Sequence, residues 1–267
     1  MFRNLKKRII KNINYSDALH WINHNQIIND KKRKIVKKIH KIFSGKVYKG
    51  PYINLKISTK ESWSIDLGSK ILGMYELEVQ KEIEKLCKKK NIKIFINYGA
   101  AEGYHLTGVL KKKLAKFGIG VEIDKKSISI LKKNLKINNL EKKAKVLDKL
   151  NLNKISEYVS NKDIKKTLFL IDIEGGEYDL INSKIIRLIN KCYLIIETHP
   201  FMSNSNKRNK LYKLLKKNYN IKSITSSSRD PFVKGLEDLT DNERWMVISE
   251  GRPLQMNWLI CSPKSNY

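Results

Sequence analysis

Two short stretches concentrate the side chains that can move a proton. Asp172 and Glu174 stand in Ile171-Asp172-Ile173-Glu174-Gly175-Gly176-Glu177-Tyr178-Asp179, and Glu197 and His199 in Ile195-Ile196-Glu197-Thr198-His199-Pro200. Side chains alternate along an extended strand, so the members of each pair point the same way. Imidazole titrates near neutrality, which makes His199 the natural general base, with Asp172 or Glu197 orienting it or binding an acceptor hydroxyl. These three are the catalytic candidates, and Glu174 is a candidate for holding the acceptor. Carboxylates and an imidazole on one rim also suit a divalent cation, although no ligand spacing demands one and a metal is not the favoured reading. The competing account is structural: Glu174 and Glu177 complement the dipole of a following helix, and His199 only hydrogen-bonds beside Pro200.

A second constellation suits a cofactor. In Ile96-Asn97-Tyr98-Gly99-Ala100-Ala101-Glu102-Gly103-Tyr104-His105 small residues let the backbone turn sharply and approach a ligand. The run Gly120-Val121-Glu122-Ile123-Asp124 follows, where a carboxylate at a strand end can accept both hydroxyls of a ribose. Glu122 is the first choice for that role and Asp124 the second. The turn is Gly-x-x-x-Gly, not the Gly-x-Gly-x-x-Gly that seats a pyrophosphate, and it carries no Walker lysine. A cofactor with one ribose, an adenine and no phosphate fits, and S-adenosylmethionine is such a cofactor. Asn97, Gly99, Ala100, Glu102, Gly103, Tyr104, Glu122 and Asp172 are the expected contacts, and Asp148 could meet the adenine amino group.

The elements that must position these groups follow from periodicity. From Asn91 onward, short apolar runs alternate with amphipathic stretches, the order of parallel βαβ units. Strands are expected at Ile92–Asn97, Gly118–Ile123, Lys145–Leu147, Leu168–Ile173, Tyr193–Ile196 and Trp258–Cys261. Helices are expected at Leu106–Lys116, Ser127–Asn138, Lys154–Ser160, Tyr178–Ile189 and Lys207–Lys217. Residues 91–267 then form an α/β domain with a doubly wound sheet, whose ligands gather at the carboxyl ends of the strands. Residues 1–90 are expected to form a cap: one or two helices to Phe43, a short hairpin or edge strands across Tyr48–Ile65, and a helix over Glu76–Lys89. Near the end of the chain Arg244, Trp245 and Arg252 could form a lid for a glycan or an anion. Equally, Trp245 and Trp258 could pack while the arginines pair with Glu243 and Glu250.

The runs Ile94–His105, Gly120–Asp124 and Asp172–Glu177 together resemble class I S-adenosylmethionine-dependent methyltransferases, specifically the FkbM-like family, whose most specific motif is Asp-x-Glu-Gly-x-Glu. The resemblance extends over roughly Trp63 to Pro263 and includes Leu72-Gly73-Met74-Tyr75-Glu76. It implies a mostly parallel, seven-stranded Rossmann-like sheet and methyl transfer to oxygen, on sugars or related small metabolites. One position departs from the family: many relatives carry Asp where this chain has Asn97, which implies a weaker hold on the cofactor's cationic groups.

Composition bears on partners. The chain has 267 residues, of which 41% are hydrophobic, enough for one catalytic domain and an appendage. Its formal net charge is +29. Such a field attracts polyanions, so an RNA or other nucleic-acid methyltransferase is the alternative function, but the lysines are spread along the chain without interleaved aromatics. A third class is non-catalytic: a cofactor-binding protein, or one docking weakly on an anionic membrane through its basic first helices. Cys87, Cys192 and Cys261 lack metal-ligand spacing and suit a reduced, cytoplasmic setting. The opening Met1–Lys11 lacks the apolar run of a secretory signal, and no later stretch approaches a membrane span.

Overall fold

The strands β1 (Ile94–Tyr98), β2 (Phe117–Val121), β3 (Ala144–Leu147), β4 (Thr167–Ile171), β5 (Tyr193–Thr198), β6 (Tyr219–Thr225) and β7 (Asn257–Pro263) form one sheet in the order β3-β2-β1-β4-β5-β7-β6. The computed structural model describes residues 15–58, 66–199, 205–252 and 255–264, and of residues 15–26 the backbone alone. The first five strands are parallel; β7 runs antiparallel between β5 and β6. This is the expected α/β, doubly wound, Rossmann-like sheet, with its strand order reversing between β1 and β4. Strand β4 is buried along its whole length, as a central strand covered on both faces must be.

Register sets the level of the site. Tyr98 lies beside Val121 on one side and Ile171 on the other, so Gly99, Glu122 and Asp172 leave the sheet at one height. Ile171 pairs with Ile196, and Glu197 with Trp258. Phe95, Leu168, Leu170, Ile195 and Trp258 belong to one buried cluster, and Ile96, Phe169, Ile171 and Ile196 to the other. Alternation therefore assigns Asn97, Asp172, Glu197 and His199 to the first face.

That face is covered by the N-terminal third of the chain. Helix α1 (Tyr15–Ile42) contributes Ile35, Val36 and Ile39 to the cluster, and it packs on α2 (Leu67–Leu72). Helix α3 (Leu77–Lys90) buries Val79, Ile83 and Leu86 there. Between α1 and α2 the expected hairpin is reduced to one antiparallel bridge, Lys46 with Lys56, closed by Val47 N–H on Leu55 O at 2.8 Å. Helix α5 (Lys125–Ile137), which follows α4 (Tyr104–Lys111), holds its outer edge: Ser58 N–H donates to Asn134 Oδ1 at 2.9 Å. The rest of that hairpin, residues 59–65, and the basic opening Met1–Lys11 lie outside the described residues.

Other expectations change as well. Tyr178–Ile189 is two short helices, α6 (Glu177–Leu180) and α7 (Ser183–Ile189), because Asn182 leaves helical geometry to accept the Lys184 and Ile185 N–H groups. Lys154–Ser160 is 3-10 structure over Leu152–Glu157. Strand β6 was not anticipated: as an edge strand it fully buries Tyr219 alone. Helix α8 (Ser205–Asn218) precedes it, and α9 (Asp241–Ile248) starts at a Thr240–Glu243 capping box and packs on α1 and α2. Among the described residues no helix is long and apolar enough to cross a membrane.

Candidate active site

The loop from β1 to α4 is held against its neighbours. Gly99 has φ 86°, and a Cβ there would come within 1.6 Å of Asp172 O, so only glycine admits this approach of β1 to β4. The N–H groups of Gly99 and Ala100 both donate to Val121 O at 2.9 Å. Ala101, in left-handed backbone at φ 45°, donates its N–H to Glu122 Oε2 at 2.8 Å, and Glu122 Oε1 accepts Asp124 N–H at 2.8 Å. Asp124 itself caps α5 through Ser127 N–H at 2.8 Å. Of the two acids at the end of β2, Asp124 is thus committed to the helix and Glu122 to the rim of the cradle. Ile123 beside it is 85% exposed. Asp148 follows Leu147, the register partner of Val121, and is exposed on the same rim.

Other expected cofactor contacts turn elsewhere. Asn97 is buried, with Nδ2 no closer than 3.5 Å to Gly99 O. Glu102 is buried in an ion pair with Lys70, which also lies 3.2 Å from Asp66. Burial would lower the Lys70 ammonium, but Asp66 and Glu102 outweigh it and hold the proton more tightly than usual. Tyr104 donates its hydroxyl to Lys70 O at 3.2 Å. Glu102 and Tyr104 therefore bind the cradle to the segment of α2, while Gly99, Ala100 and Gly103 shape its backbone.

The proton-transfer candidates converge. His199, 2% exposed, has Nε2 at 3.5 Å from Asp172 Oδ1, 3.7 Å from Glu174 and 4.0 Å from Glu197. Its Nδ1 faces Glu177 Oε1 at 3.2 Å. Glu174 is exposed and in left-handed backbone at φ 53°. Asp172 keeps 28% of its side chain exposed, but its Oδ1 is enclosed without a hydrogen-bond partner.

One guanidinium organises the acids on the other side. Arg252 donates from Nη1 to Glu197 Oε1 at 2.6 Å, from Nη2 to Glu76, and from Nε to Glu250 Oε2 at 2.9 Å. It lies 5.7 Å from the Tyr75 ring and 5.4 Å from that of Trp258. Glu76 also meets His105 Nε2 at 2.9 Å, and His105 Nδ1 lies 3.2 Å from the Tyr52 hydroxyl. Glu250 accepts Arg229, which forms a two-point pair with Glu78 at 2.6 and 2.8 Å.

Charge in this cluster is unbalanced, and the carboxyls divide accordingly. Burial would raise Glu76, but Arg252 and His105 hold it below the usual carboxylate range. Burial and the charges of Glu76 and Glu174 push Asp172 upward, against Arg252. Burial, Asp172 and Glu76 push Glu197 upward as well. Burial lowers His199, but hydrogen bonding to Glu177 and the charges of Glu197, Glu177 and Glu174 leave it above its ordinary value. Asp172, Glu174 and His199, or Glu76, Asp172 and Glu197, bring ligand atoms within 4.8 Å of one another. In the second group Arg252 already supplies positive charge.

Two of the three lid candidates are brought together. Trp245 and Arg252 line a cleft of about 280 Å³ with Ser226, Ser227, Arg229 and Ser249. Arg244 is not part of it: Nε donates to Leu236 O at 3.1 Å and the guanidinium sits 5.5 Å from the Phe232 ring. Sequence reasoning gave Glu76 and Arg229 no part in the site, and named Glu177 only for the dipole of a following helix and Glu250 only as an arginine's partner, which it is for Arg252. For Glu76 the only local signal is conformational and invisible in the sequence, a non-glycine residue at φ 45° immediately before α3.

No protein-family model matches the chain, and no curated protein matches it. Solved structures do. TrmK of M. capricolum, in complex with S-adenosyl-homocysteine, is 16% identical over 70% of this chain and 69% of that one, at a TM-score of 0.42. A precorrin-6y C5,15-methyltransferase from Geobacter metallireducens is 10% identical over 70% and 89%, at 0.44. The human methyltransferase 10 domain containing protein is 15% identical over 70% and 81%, at 0.43.

Proposed function

We propose that the protein is an S-adenosylmethionine-dependent O-methyltransferase, related to the FkbM-like group, acting on a hydroxyl of a sugar, a glycan or a related small metabolite. The observation that carries this reading is the register of β2-β1-β4-β5, which brings the Gly99–Gly103 turn and a histidine–carboxylate cluster to one rim. The residues present fit the cofactor. Glu122 is held at the strand end as a ribose acceptor, exposed Ile123 offers an apolar face for the adenine with Asp148 on the same rim, and Asp172 Oδ1, enclosed without a hydrogen-bond partner, can accept one from the cofactor's amino group. When bound, the cofactor supplies a methyl group on a positively charged sulfur.

The protein's own part is to place an oxygen acceptor and take its proton. A hydroxyl is a poor nucleophile until deprotonated, and holding it in line with the methyl group supplies much of the rate. His199 Nε2 receives that proton. Asp172 and Glu197, raised toward their protonated forms, hydrogen-bond the acceptor, and Glu174 lies at the open edge. Residues 1–90 act as a cap that contributes Glu76 and Tyr75 to the site wall, and residues 91–267 are the catalytic domain. The three cysteines are buried free thiols, consistent with a reduced, cytoplasmic setting.

The alternative acceptor is RNA, favoured by the net charge of +29. Against it stands Glu174, exposed at the open edge of the rim, whose carboxylate would repel a phosphodiester. Calorimetric titration with S-adenosylmethionine and, separately, NAD tests the cofactor. Binding of the methyl donor alone supports the proposal, and binding of NAD alone, or of neither, overturns it. Methyl incorporation into RNA in preference to sugars would reverse the order of acceptors.

A further inference from the structure

We infer that Glu177 is a positioning residue that sets the tautomer of His199 and thereby aims its basic nitrogen at the reacting hydroxyl; this rests on the reading of His199 as general base. Glu177 opens α6, is fully buried and has both carboxylate oxygens engaged. Its Oε1 accepts the His199 backbone N–H at 3.1 Å and faces the ring Nδ1 at 3.2 Å, while Oε2 accepts Gly175 N–H at 2.9 Å. Two main-chain N–H groups from different segments thus hold the acid in place. Gly175, at φ 95°, makes the turn that carries the chain back so that Glu177 reaches across to the end of β5.

A carboxylate accepts hydrogen bonds and donates none, so the nitrogen facing it must carry the proton. In neutral His199 that leaves Nδ1 protonated and puts the lone pair on Nε2, the atom that faces Asp172, Glu174 and Glu197 at 3.5–4.0 Å. The opposite tautomer would set a ring lone pair against the Glu177 oxygen. Asp172 and Glu197 flank Nε2 and do not reach Nδ1, so orientation falls to Glu177. Among the described residues the titratable groups facing the imidazole include Glu177 behind it and Asp172, Glu174 and Glu197 in front. When Nε2 takes the acceptor proton, the oxygen–methyl bond forms and the methyl–sulfur bond breaks, its electron pair remaining on sulfur. The imidazolium so produced is stabilised by Glu177.

The test is nitrogen-detected NMR of the imidazoles in full-length protein without cofactor. The chain has five histidines, and His199→Gln assigns the resonance. The wild-type ring is expected in the Nδ1–H form, titrating above the ordinary histidine value. In Glu177→Gln, where an uncharged amide replaces the acid, the midpoint falls and Nε2–H form appears; in Glu177→Asp the Nδ1–H form persists in part. With an active acceptor, kcat falls about tenfold or more in Glu177→Gln with little change in KM, within the roughly 10²–10⁴-fold a positioned base contributes. Wild-type His199 in the Nε2–H form, or an unchanged tautomer and midpoint in Glu177→Gln, overturns the inference, and the wild-type spectrum decides even if a variant fails to fold. Full activity in His199→Gln would overturn the general-base reading while leaving the tautomer result standing.

Discussion

Arg252 Nη1 donates to Glu197 Oε1 at 2.6 Å, and the same guanidinium reaches Glu76 and Glu250, so one cation serves three carboxylates drawn from three parts of the chain. Removing one partner of a buried ion pair strands the others, at about 3–5 kcal/mol. Arg252→Met should lower stability at pH 7.5 by that order, measured by urea unfolding. The pH dependence between 7.5 and 5.5, where the raised Asp172 and Glu197 already favour the acid side in the parent, should become steeper. In the parent, Glu76 is held below its unfolded value, so its contribution is present above the ordinary carboxylate range and lost as pH falls through it. Without Arg252, Glu76 and Glu197 must take up protons to remain buried, and stability should recover as the pH falls from 7.5 to 5.5. Parallel pH profiles for the two proteins would refute the account.

Gly99→Ala should damage both fold and cradle. The new Cβ would overlap Asp172 O, and φ 86° strains any other residue, so a loss above about 1 kcal/mol is expected in thermal unfolding, with loss of cofactor binding. Gly176→Ala is the control: its φ is −71° and its nearest contact 3.2 Å, so it should stay within about 1 kcal/mol of the parent. Equal effects of the two would show that the β1–β4 approach is not what glycine serves here.

Glu122→Ala should weaken S-adenosylmethionine binding by about 2–3 kcal/mol, roughly 30- to 150-fold in Kd, because charge-assisted hydrogen bonds to the ribose disappear. Calorimetry reads the affinity, and circular dichroism confirms that loss of the Ala101 and Asp124 N–H partners has not unfolded the loop. Undiminished binding would displace the cofactor from this rim.

Ile39→Ala should cost about 2–5 kcal/mol, as for other fully buried aliphatic truncations. Removal of residues 1–43 should give insoluble protein, since Ile35, Val36 and Ile39 pack in the same cluster as Phe95 and Trp258 of the sheet. A soluble, cofactor-binding truncation would mark the segment as a detachable docking element.

The alternating apolar runs were enough to place six of the seven strands within a few residues, because each buries side chains whose pattern is local. Strand β6 escaped because at the sheet edge its Lys, Ser and Thr side chains meet water and leave no apolar signature. The residue types of the cradle and of the Asp172–Glu174 and Glu197–His199 pairs were likewise readable, since glycine turns and strand-end acids carry their chemistry in the sequence. What pairs with what was not. Asp172 and Glu197 were the expected partners for orienting His199, yet Glu177 holds Nδ1, and Glu76 and Arg252 meet from positions 176 residues apart. Such partnerships depend on strand register and on how the cap folds over the sheet, and both are settled by burial of the whole apolar surface rather than by any local stretch of chain.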